Sequence, residues 1–562
     1  MAKARNIKEI LEGVVREGLK GYAGELGASL PDVEIIIERP NIKSHGDFAT
    51  NVAMQTARVF RKNPLAIAEG IKAHIPETGF IKEIVVAKPG FINFHLSPGS
   101  GAMILKTILD QGEDFGRVNI GHDKKVLIEF MSANPTGPLH IGHARNAILG
   151  DCVALILEAA GYSVTREYYY NDAGVQMKKL GESLRARYLQ ELGRDAPFPE
   201  DGYQGDYMIN IAKQLANDRG EALADEVNTG VFTDYAAQKI IRLIDKDLRG
   251  LRIEFDNWFS ETTLHREGKV ESNLEVLKEK GMLYEKGGAW WLRTEKFGDE
   301  KDRVVVKSDG EKTYLAPDIA YHRDKFERGY DVLINVFGAD HHGYVPRLKA
   351  GVQALGYDPS RLHCIVFQMV SLLKDGETLK LSTRAGKFIT LKQVIEELGA
   401  DVVRFFFLMR SADSQMTFDW ELAKDHSMNN PVFYVQYAHA RCCSLFKKAA
   451  ELGIRWEGFK EEQLALLVLD EEQDMFRVLE QYPDIVRLCA ETLEPHHITS
   501  YLRELAGTFH GFFTAGTKDE TKRFLQPGNP ELTQARMSLV AALRVVLANA
   551  MRLIGVVPLD HM

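Results

Sequence analysis

Apolar positions recur at helical intervals from Ile7 to Leu26, then form a strand-like run from Val33 to Glu38. Two further runs, Ile84 to Ala87 and Phe91 to Leu96, flank Lys88-Pro89-Gly90, and in the second Ile92, Phe94 and Leu96 alternate with polar residues as in a half-buried strand. From about residue 120 the pattern becomes strand, loop, helix: Val126 to Phe130 is apolar, and a helix is predicted from near Gly142 to about Ala160. Val164 to Tyr170 is a second strand, followed by Asn171-Asp172-Ala173-Gly174 and a helix. Alternating strand and helix argue for a parallel sheet covered on both faces.

Between about 172 and 310 that alternation is lost. Charged helices, the turn-rich Phe198-Pro199-Glu200-Asp201-Gly202 and the aromatic Gly288-Ala289-Trp290-Trp291-Leu292 suggest an insertion between two halves of one sheet. Strands resume at Val332 to Phe337 and Ile365 to Val370, and after Ala400 the chain reads as helix to its end. Asn430-Pro431 is a helix start, with a capping side chain ahead of a first-turn proline, and Leu539 to Ile554 is an apolar helix suited to a bundle. The expected fold is multidomain α/β. It has an N-terminal α/β domain over 1–112 and a Rossmann-like domain over 113–375 with the insertion at about 172–310. A connecting segment over 376–428 and a helical bundle over 429–562 complete it.

With 562 residues, a division into several cores is expected. Apolar residues at 45% and charged residues at 27% place the chain among ordinary globular proteins. The N-terminus is charged and helix-like, and no run approaches the roughly 18 apolar residues of a membrane span. Five scattered cysteines without a C-x-x-C pair imply reduced thiols, a cytoplasmic location and no zinc site. A net charge of −9 does not advertise a nucleic-acid binder, but a local basic track would be enough.

The candidate chemistry centres on Ser132-Ala133-Asn134-Pro135-Thr136-Gly137-Pro138-Leu139-His140-Ile141-Gly142-His143-Ala144-Arg145-Asn146. A strand that enters a helix through such a loop offers unpaired N–H groups and the positive dipole end to a phosphate. Gly142 between two imidazoles allows close approach of a ligand. The plainer reading is a surface loop. Over two hundred residues later Lys380-Leu381-Ser382-Thr383-Arg384-Ala385-Gly386-Lys387 sets three cations among small polar residues, either a phosphate-seeking loop or a solvated basic turn. Asp340-His341-His342, at the end of the Val332 run, could be read as metal ligands, but adjacent ligands without a distant partner are a weak signal.

The first loop resembles the HIGH signature of class I aminoacyl-tRNA synthetases, and its wider form is similar to that of bacterial arginyl-tRNA synthetases. The second loop resembles the KMSKS signature, with Leu381 for the usual methionine and Thr383 for the second lysine. Some relatives place a compensating lysine before the first loop, where this chain has Thr136-Gly137-Pro138. The segment His45-Gly46-Asp47-Phe48-Ala49-Thr50-Asn51-Val52-Ala53 resembles the tRNA-elbow segment of the family's N-terminal domain, although alone it reads as a helix start capped by Asp47. Tyr434, Tyr437 and Arg441 share a helix face and resemble the start of the anticodon-binding domain, although alone they read as a core face with a snorkelling arginine.

The resemblance implies an enzyme that makes arginyl-adenylate and pyrophosphate from L-arginine and ATP, then transfers arginine to the 3′-terminal adenosine of tRNA(Arg). It implies activation that depends on bound tRNA, a monomer, and Mg2+ carried with ATP. By the same resemblance His140, Gly142, His143, Lys380, Ser382 and Arg384 carry the chemistry. Glu129, Ser132, Asn134, Tyr314, Asp318 and Asp340 hold arginine. Gly338, His342 and Met369 join His140, His143 and Lys380 around ATP, and Phe48, Asn51, Tyr434, Tyr437 and Arg441 contact tRNA. Taken alone, Asp318 reads as a helix cap. Two alternatives are a catalytically silent RNA-binding paralogue, favoured by Leu381 and Thr383, and a nucleotidyltransferase sharing the histidine loop, which leaves both terminal domains without a purpose.

Overall fold

The computed structural model describes residues 7–40, 42–97, 100–379 and 389–562. Its strands in chain order are β1 Phe48–Thr50, β2 Ile81–Ala87, β3 Phe91–Leu96, β4 Lys125–Glu129, β5 Ser163–Tyr170, β6 Asn257–Ser260, β7 Leu283–Lys286, β8 Ala289–Leu292, β9 Arg303–Val306, β10 Val332–Gly338, β11 Leu362–Phe367, β12 Val370–Lys374, β13 Glu377–Leu379 and β14 Met416–Asp419.

The central sheet has the order β11-β10-β4-β5-β6, and every neighbouring pair is parallel. Its first strand in sequence, β4, lies in the middle with later strands on both sides. The order therefore reverses between β4 and β10, and a crevice opens beyond their carboxyl ends. From Val126 onward β4 is interior, with Val126, Leu127 and Ile128 at most 1% exposed, which is why that stretch reads as an apolar run.

One expectation changes here. The expected insertion at about 172–310 contributes an edge strand to this sheet, because Glu167 to Tyr170 of β5 pair with Asn257 to Ser260 of β6. The helices between them, Val175–Glu191, Asp206–Arg219 and Thr229–Gly250, belong to the β5–β6 crossover. A four-residue strand after a long helical crossover leaves no periodic signal. Only afterwards comes the antiparallel sheet β7-β8-β9. There Trp290 packs at the edge of a core built on Leu264, Leu292, Val305 and Ile319, with the Lys278 ammonium 4.1 Å above its ring.

In the N-terminal domain the helix Ile7–Glu25 covers the sheet β1-β3-β2 through Leu11, Val15, Leu19, Phe48, Ile92 and Phe94. The Val33 to Glu38 run makes only a bridge between Glu38 and Ala49. Asp47 caps no helix; its Oδ2 accepts the Leu96 N–H at 2.8 Å. At the other end of the chain the helices Pro431–Glu451, Asp470–Thr492, His496–Lys518 and Pro530–Leu553 form the expected bundle. Asn430 caps the first of these, its Oδ1 accepting the Val432 N–H at 3.0 Å. Among the described residues no helix is long and apolar enough to cross a membrane.

Buried guanidinium groups join these units. Arg404, 0% exposed, donates to Asp151 Oδ2 at 2.6 Å, to the Leu251 carbonyl at 2.9 Å and to the Ile554 carbonyl at 2.8 Å. Gly555, at φ +68, lies so close that an added Cβ would sit 2.3 Å from the Arg404 Cζ. Replacing Arg404 by methionine would leave the buried Asp151 carboxylate with only the longer Arg166 contact, at 3.4 Å, and is expected to cost about 3–5 kcal/mol. The first unfolding transition in urea should move to lower denaturant in Arg404→Met and in Gly555→Ala. An unchanged midpoint in both would refute this role.

Candidate active site

The chain leaves β4 at Glu129 and turns sharply. Met131 and Ser132 take φ of +70 and +45, a left-handed conformation that costs non-glycine residues about 1–3 kcal/mol each. Hydrogen bonds hold the turn. Asn146 Oδ1 accepts the Met131 N–H at 2.8 Å, Ser132 Oγ accepts the Tyr169 N–H at 3.2 Å, and the Tyr168 hydroxyl donates to the Ala133 carbonyl at 2.8 Å. Asn146 also donates to the Val336 carbonyl of β10 at 3.3 Å, which spans the crevice between β4 and β10.

The helix Ile141–Ala159 follows, with His140 as its N-cap in extended conformation. His140 Nδ1 accepts the Gly142 N–H at 3.1 Å, and His143 Nδ1 accepts the His140 N–H at 3.2 Å. The two rings stack with centroids 3.7 Å apart. Burial lowers the pKa of His140, and burial together with the neighbouring His140 lowers that of His143 to about 3. Both imidazoles are therefore neutral at physiological pH. Since each Nδ1 is an acceptor, each proton resides on Nε2. The result is two Nε2–H donors at the positive end of a helix.

The chain that follows the basic loop is tied to the same place. The Ile141 N–H donates to the Ile389 carbonyl at 3.2 Å, and the Leu391 N–H donates to the Leu139 carbonyl at 2.8 Å. Lys380, Ser382 and Arg384 lie outside the described residues, but the chain that follows them is bonded to the histidine loop. The expected strand Ile365 to Val370 is broken at Gln368-Met369. The Gln368 carbonyl accepts from Arg145 at 2.6 Å and its N–H donates to Ala412, so it cannot continue the ladder. Met369 is left 67% exposed.

Beside this loop lies an acidic pocket. Glu129 Oε2 accepts from Lys325 at 2.5 Å and from Asn335 at 3.0 Å, and its Oε1 accepts from Ser132 Oγ at 3.1 Å. Asp318 does not cap a helix. The helix Leu315–Glu327 starts after Tyr314, so Asp318 lies a turn inside, where its Oδ2 accepts the Tyr344 hydroxyl. Burial pushes Asp318 up to about 7; the Tyr344 hydrogen bond opposes this and the Glu129 and Glu261 carboxylates add to it. Tyr169, over which Tyr321 stacks at 4.5 Å, donates to Glu261 Oε2 at 2.6 Å.

Behind them Glu167, 0% exposed, takes a forked pair of bonds from Arg328 at 2.6 and 2.8 Å and one from Asn257 at 2.6 Å. Burial works against its charge, but Arg328 and Lys325 hold its pKa below the ordinary glutamate value.

Other expected residues fall in different places. Tyr314 is 83% exposed and does not share the Asp318 hydrogen bond. Asn134 lies at the rim, donating to Gln176 at 3.1 Å and accepting from the Asn171 N–H at 3.3 Å. Asp340 and His342 are exposed beyond β10, just past Gly338. Phe48 is 0% exposed beneath the Arg39 guanidinium, so it is a core residue and not a tRNA contact. Its place in β1 decides this, since all three residues of that short strand face inward. Asn51 accepts from Gln55 at 2.8 Å. Arg441 lies 4.5 Å over Tyr437 and 4.2 Å over Phe513 and bonds His510 at 2.9 Å; Tyr434 meets the same His510 edge-on.

Glu261, Lys325, Tyr344 and Glu167 were not expected from the sequence. For Glu261 a signal existed: it immediately follows β6, at the carboxyl end of a parallel strand.

Comparison with known proteins agrees with this arrangement. Residues 104–405 match the family of tRNA synthetases class I (R), catalytic domain; residues 4–96 match the arginyl tRNA synthetase N terminal domain, and residues 435–562 the DALR anticodon binding domain. An arginine–tRNA ligase of Halalkalibacterium halodurans is 46% identical over 99% of both chains, and that of Bacillus subtilis is 44% identical over 98% of this chain and 99% of its own. A crystal structure of a putative arginyl-tRNA synthetase from Campylobacter jejuni superposes with a TM-score of 0.74 at 35% identity, covering 83% of this chain and all of its own. The Thermus thermophilus arginyl-tRNA synthetase has a TM-score of 0.72 at 21% identity, over 99% of this chain and 100% of its own, a likeness of fold. With an acidic pocket beside a doubly wound sheet's histidine loop, and relatives matched from end to end, the chain belongs to the class I arginyl-tRNA synthetase family.

Proposed function

We propose that the crevice between β4 and β10 holds arginine on the acidic side and ATP on the histidine side, so that the arginine carboxylate attacks the α-phosphorus in line with departing pyrophosphate. As a member of its family the chain is an ATP-dependent arginine–tRNA ligase, which forms arginyl-adenylate and passes the arginyl group to the 3′-terminal adenosine of tRNA(Arg).

Such a displacement needs alignment and stabilisation of charge on phosphate oxygens, with no protein nucleophile. The observation that carries the assignment is the pair of neutral imidazoles, both with Nδ1 committed to the helix cap, a few residues from a three-carboxylate pocket. His140 and His143 donate from Nε2 to the triphosphate, and the Gly142 N–H lies at the helix start. Lys380, Ser382 and Arg384 supply charge and hydrogen bonds to the pyrophosphate. Gly338, His342 and Met369, at the ends of β10 and β11, border the adenosine. Mg2+ bound to phosphate oxygens and water neutralises the triphosphate.

Asp318 and Glu261 take the guanidinium, whose forked donors suit paired carboxylates. Glu129 and Ser132 face the α-amino end, Asn134 and Asp340 stand at the rim, and Tyr314 turns in over the substrate. The N-terminal domain around Asn51 and the helical face of Tyr434, Tyr437 and Arg441 receive tRNA, with bases stacking on these half-buried rings. The enzyme works as a monomer in the cytoplasm.

ATP–pyrophosphate exchange with arginine, run with and without tRNA(Arg), is the primary test; no exchange in either case overturns the proposal. His140→Ala and His143→Ala should each lower the exchange rate about 10²–10³-fold while arginine binding persists. Asp318→Asn should raise KM for arginine at least about 100-fold, since it leaves a buried guanidinium partner uncharged. Only the ionised form of Asp318 pairs with the guanidinium. Below its pKa of about 7 a proton must leave before arginine binds, so KM for arginine should fall about tenfold per pH unit as pH rises toward 7 and level off above it. A flat KM profile from about pH 6 to about pH 8 would contradict that link.

A further inference from the structure

Tyr344 immediately precedes the helix Val345–Ala354 and is its N-cap residue, yet its side chain makes no capping bond there. The hydroxyl instead crosses to the helix Leu315–Glu327 and donates to Asp318 Oδ2. Among the described residues it is the one hydrogen-bond donor to that carboxylate. The other groups facing Asp318 are committed elsewhere. The Tyr169 hydroxyl serves Glu261, the Lys325 ammonium serves Glu129 and Asn335, and His322, on the same helix, bonds the Asp318 backbone carbonyl at 2.8 Å. Glu129 and Glu261 only repel it. The Tyr344 ring is itself held, edge-on to His341 with centroids 6.0 Å apart, and it packs against both the core of Leu264, Leu292 and Ile319 and the core of Leu127, Leu333 and Leu348.

We propose that Tyr344 is a positioning residue of the arginine pocket: by fixing Asp318 Oδ2 it sets the carboxylate in one orientation and leaves Oδ1 for the guanidinium, which sharpens selection of a cationic side chain. This rests on the reading of Asp318 given above. A hydroxyl that donates to a carboxylate favours the ionised form and removes its rotational freedom before substrate arrives. A neutral urea analogue such as citrulline gains less from an oriented, ionised oxygen than arginine does. The hydroxyl therefore contributes to discrimination as well as to affinity. Tyr344 acts through Asp318, so its effect falls on arginine binding and leaves the ATP side untouched.

The test is Tyr344→Phe in the full-length enzyme, measured by aminoacylation beside Asp318→Asn and the double variant. Tyr344→Phe keeps the ring and loses only the hydroxyl. KM for arginine should rise about tenfold, with kcat within about twofold, KM for ATP unchanged, and inhibition by citrulline relative to arginine strengthened. The acidic limb of the arginine KM profile should move to higher pH, because a donor to the ionised carboxylate has gone. In the Asp318→Asn background Tyr344→Phe should have no further effect on KM. If Tyr344→Phe leaves KM and the acidic limb unchanged while Asp318→Asn impairs arginine binding, the role of Tyr344 is refuted and that of Asp318 stands. If Asp318→Asn does not affect KM for arginine, the pocket assignment itself fails. A parallel loss of kcat and thermal stability in Tyr344→Phe, persisting in the double variant, marks a packing residue and overturns the proposal.

Discussion

Buried polar groups on the helix Ile141–Ala159 must all be satisfied, and the architecture follows from how that is done. This helix is enclosed on nearly every side, with Ala144, Ala147, Ile148, Cys152 and Ala154 at 0% exposure, yet it carries Arg145, Asn146 and Asp151. Each is met by residues distant in the chain. Arg145 reaches the carbonyls of Gln368, Ser411 and Ser414, which precede strands β12 and β14, Asn146 reaches β10, and Asp151 is met by Arg404, which also holds the carbonyls of Leu251 and Ile554. A guanidinium left partly unpaired in such a place is costly, so these contacts fix the register between domains as well as adding stability. Burial lowers Arg145 to about 10, which keeps it charged at physiological pH. The helix that presents His140 and His143 is thereby anchored along its length to the parts of the enzyme that must move or bind around them.

A second set of buried charges builds the floor of the pocket. Glu167 is neutralised by Arg328, and one oxygen of Glu129 is met by Lys325 and Asn335. His322 is held neutral, its pKa lowered to about 3 by burial and by the nearby Lys325, and it bonds the Asn335 amide. Once these pairs are counted, the carboxylates of the pocket without a lysine or arginine partner among the described residues are Asp318 and Glu261, the latter 3.6 Å from the His265 ring. On the proposed reading of the pocket an arginine side chain supplies that cation, and a neutral side chain of similar length does not. The raised pKa of Asp318 comes first from its burial and then from the Glu129 and Glu261 carboxylates beside it, a perturbation of the kind that gathers at functional sites.

Local pattern carried much of this into the sequence. The apolar run of β4, the alternation of β3, the Asn430-Pro431 helix start and the histidine loop ahead of a long helix are short-range features, set by side-chain period, capping and turn chemistry, and each appears where the spacing places it. The family was legible for the same reason, because its signatures are contiguous. Phe48 was misread because contiguity is all that a motif offers: its neighbours resemble a binding segment, but in a three-residue inward-facing strand the ring goes to the core.

What the sequence by itself determined was which elements exist and which loops carry chemistry, since those depend on residues a few positions apart. Only the tertiary structure decided that β6 completes the central sheet, that Lys325 neutralises Glu129 across 196 positions, and that Tyr344 rather than Tyr314 holds Asp318. Those pairings are between residues distant in the chain. They are selected by the cost of burying an unpaired charge, a cost that exists only after the strands and helices have been brought together.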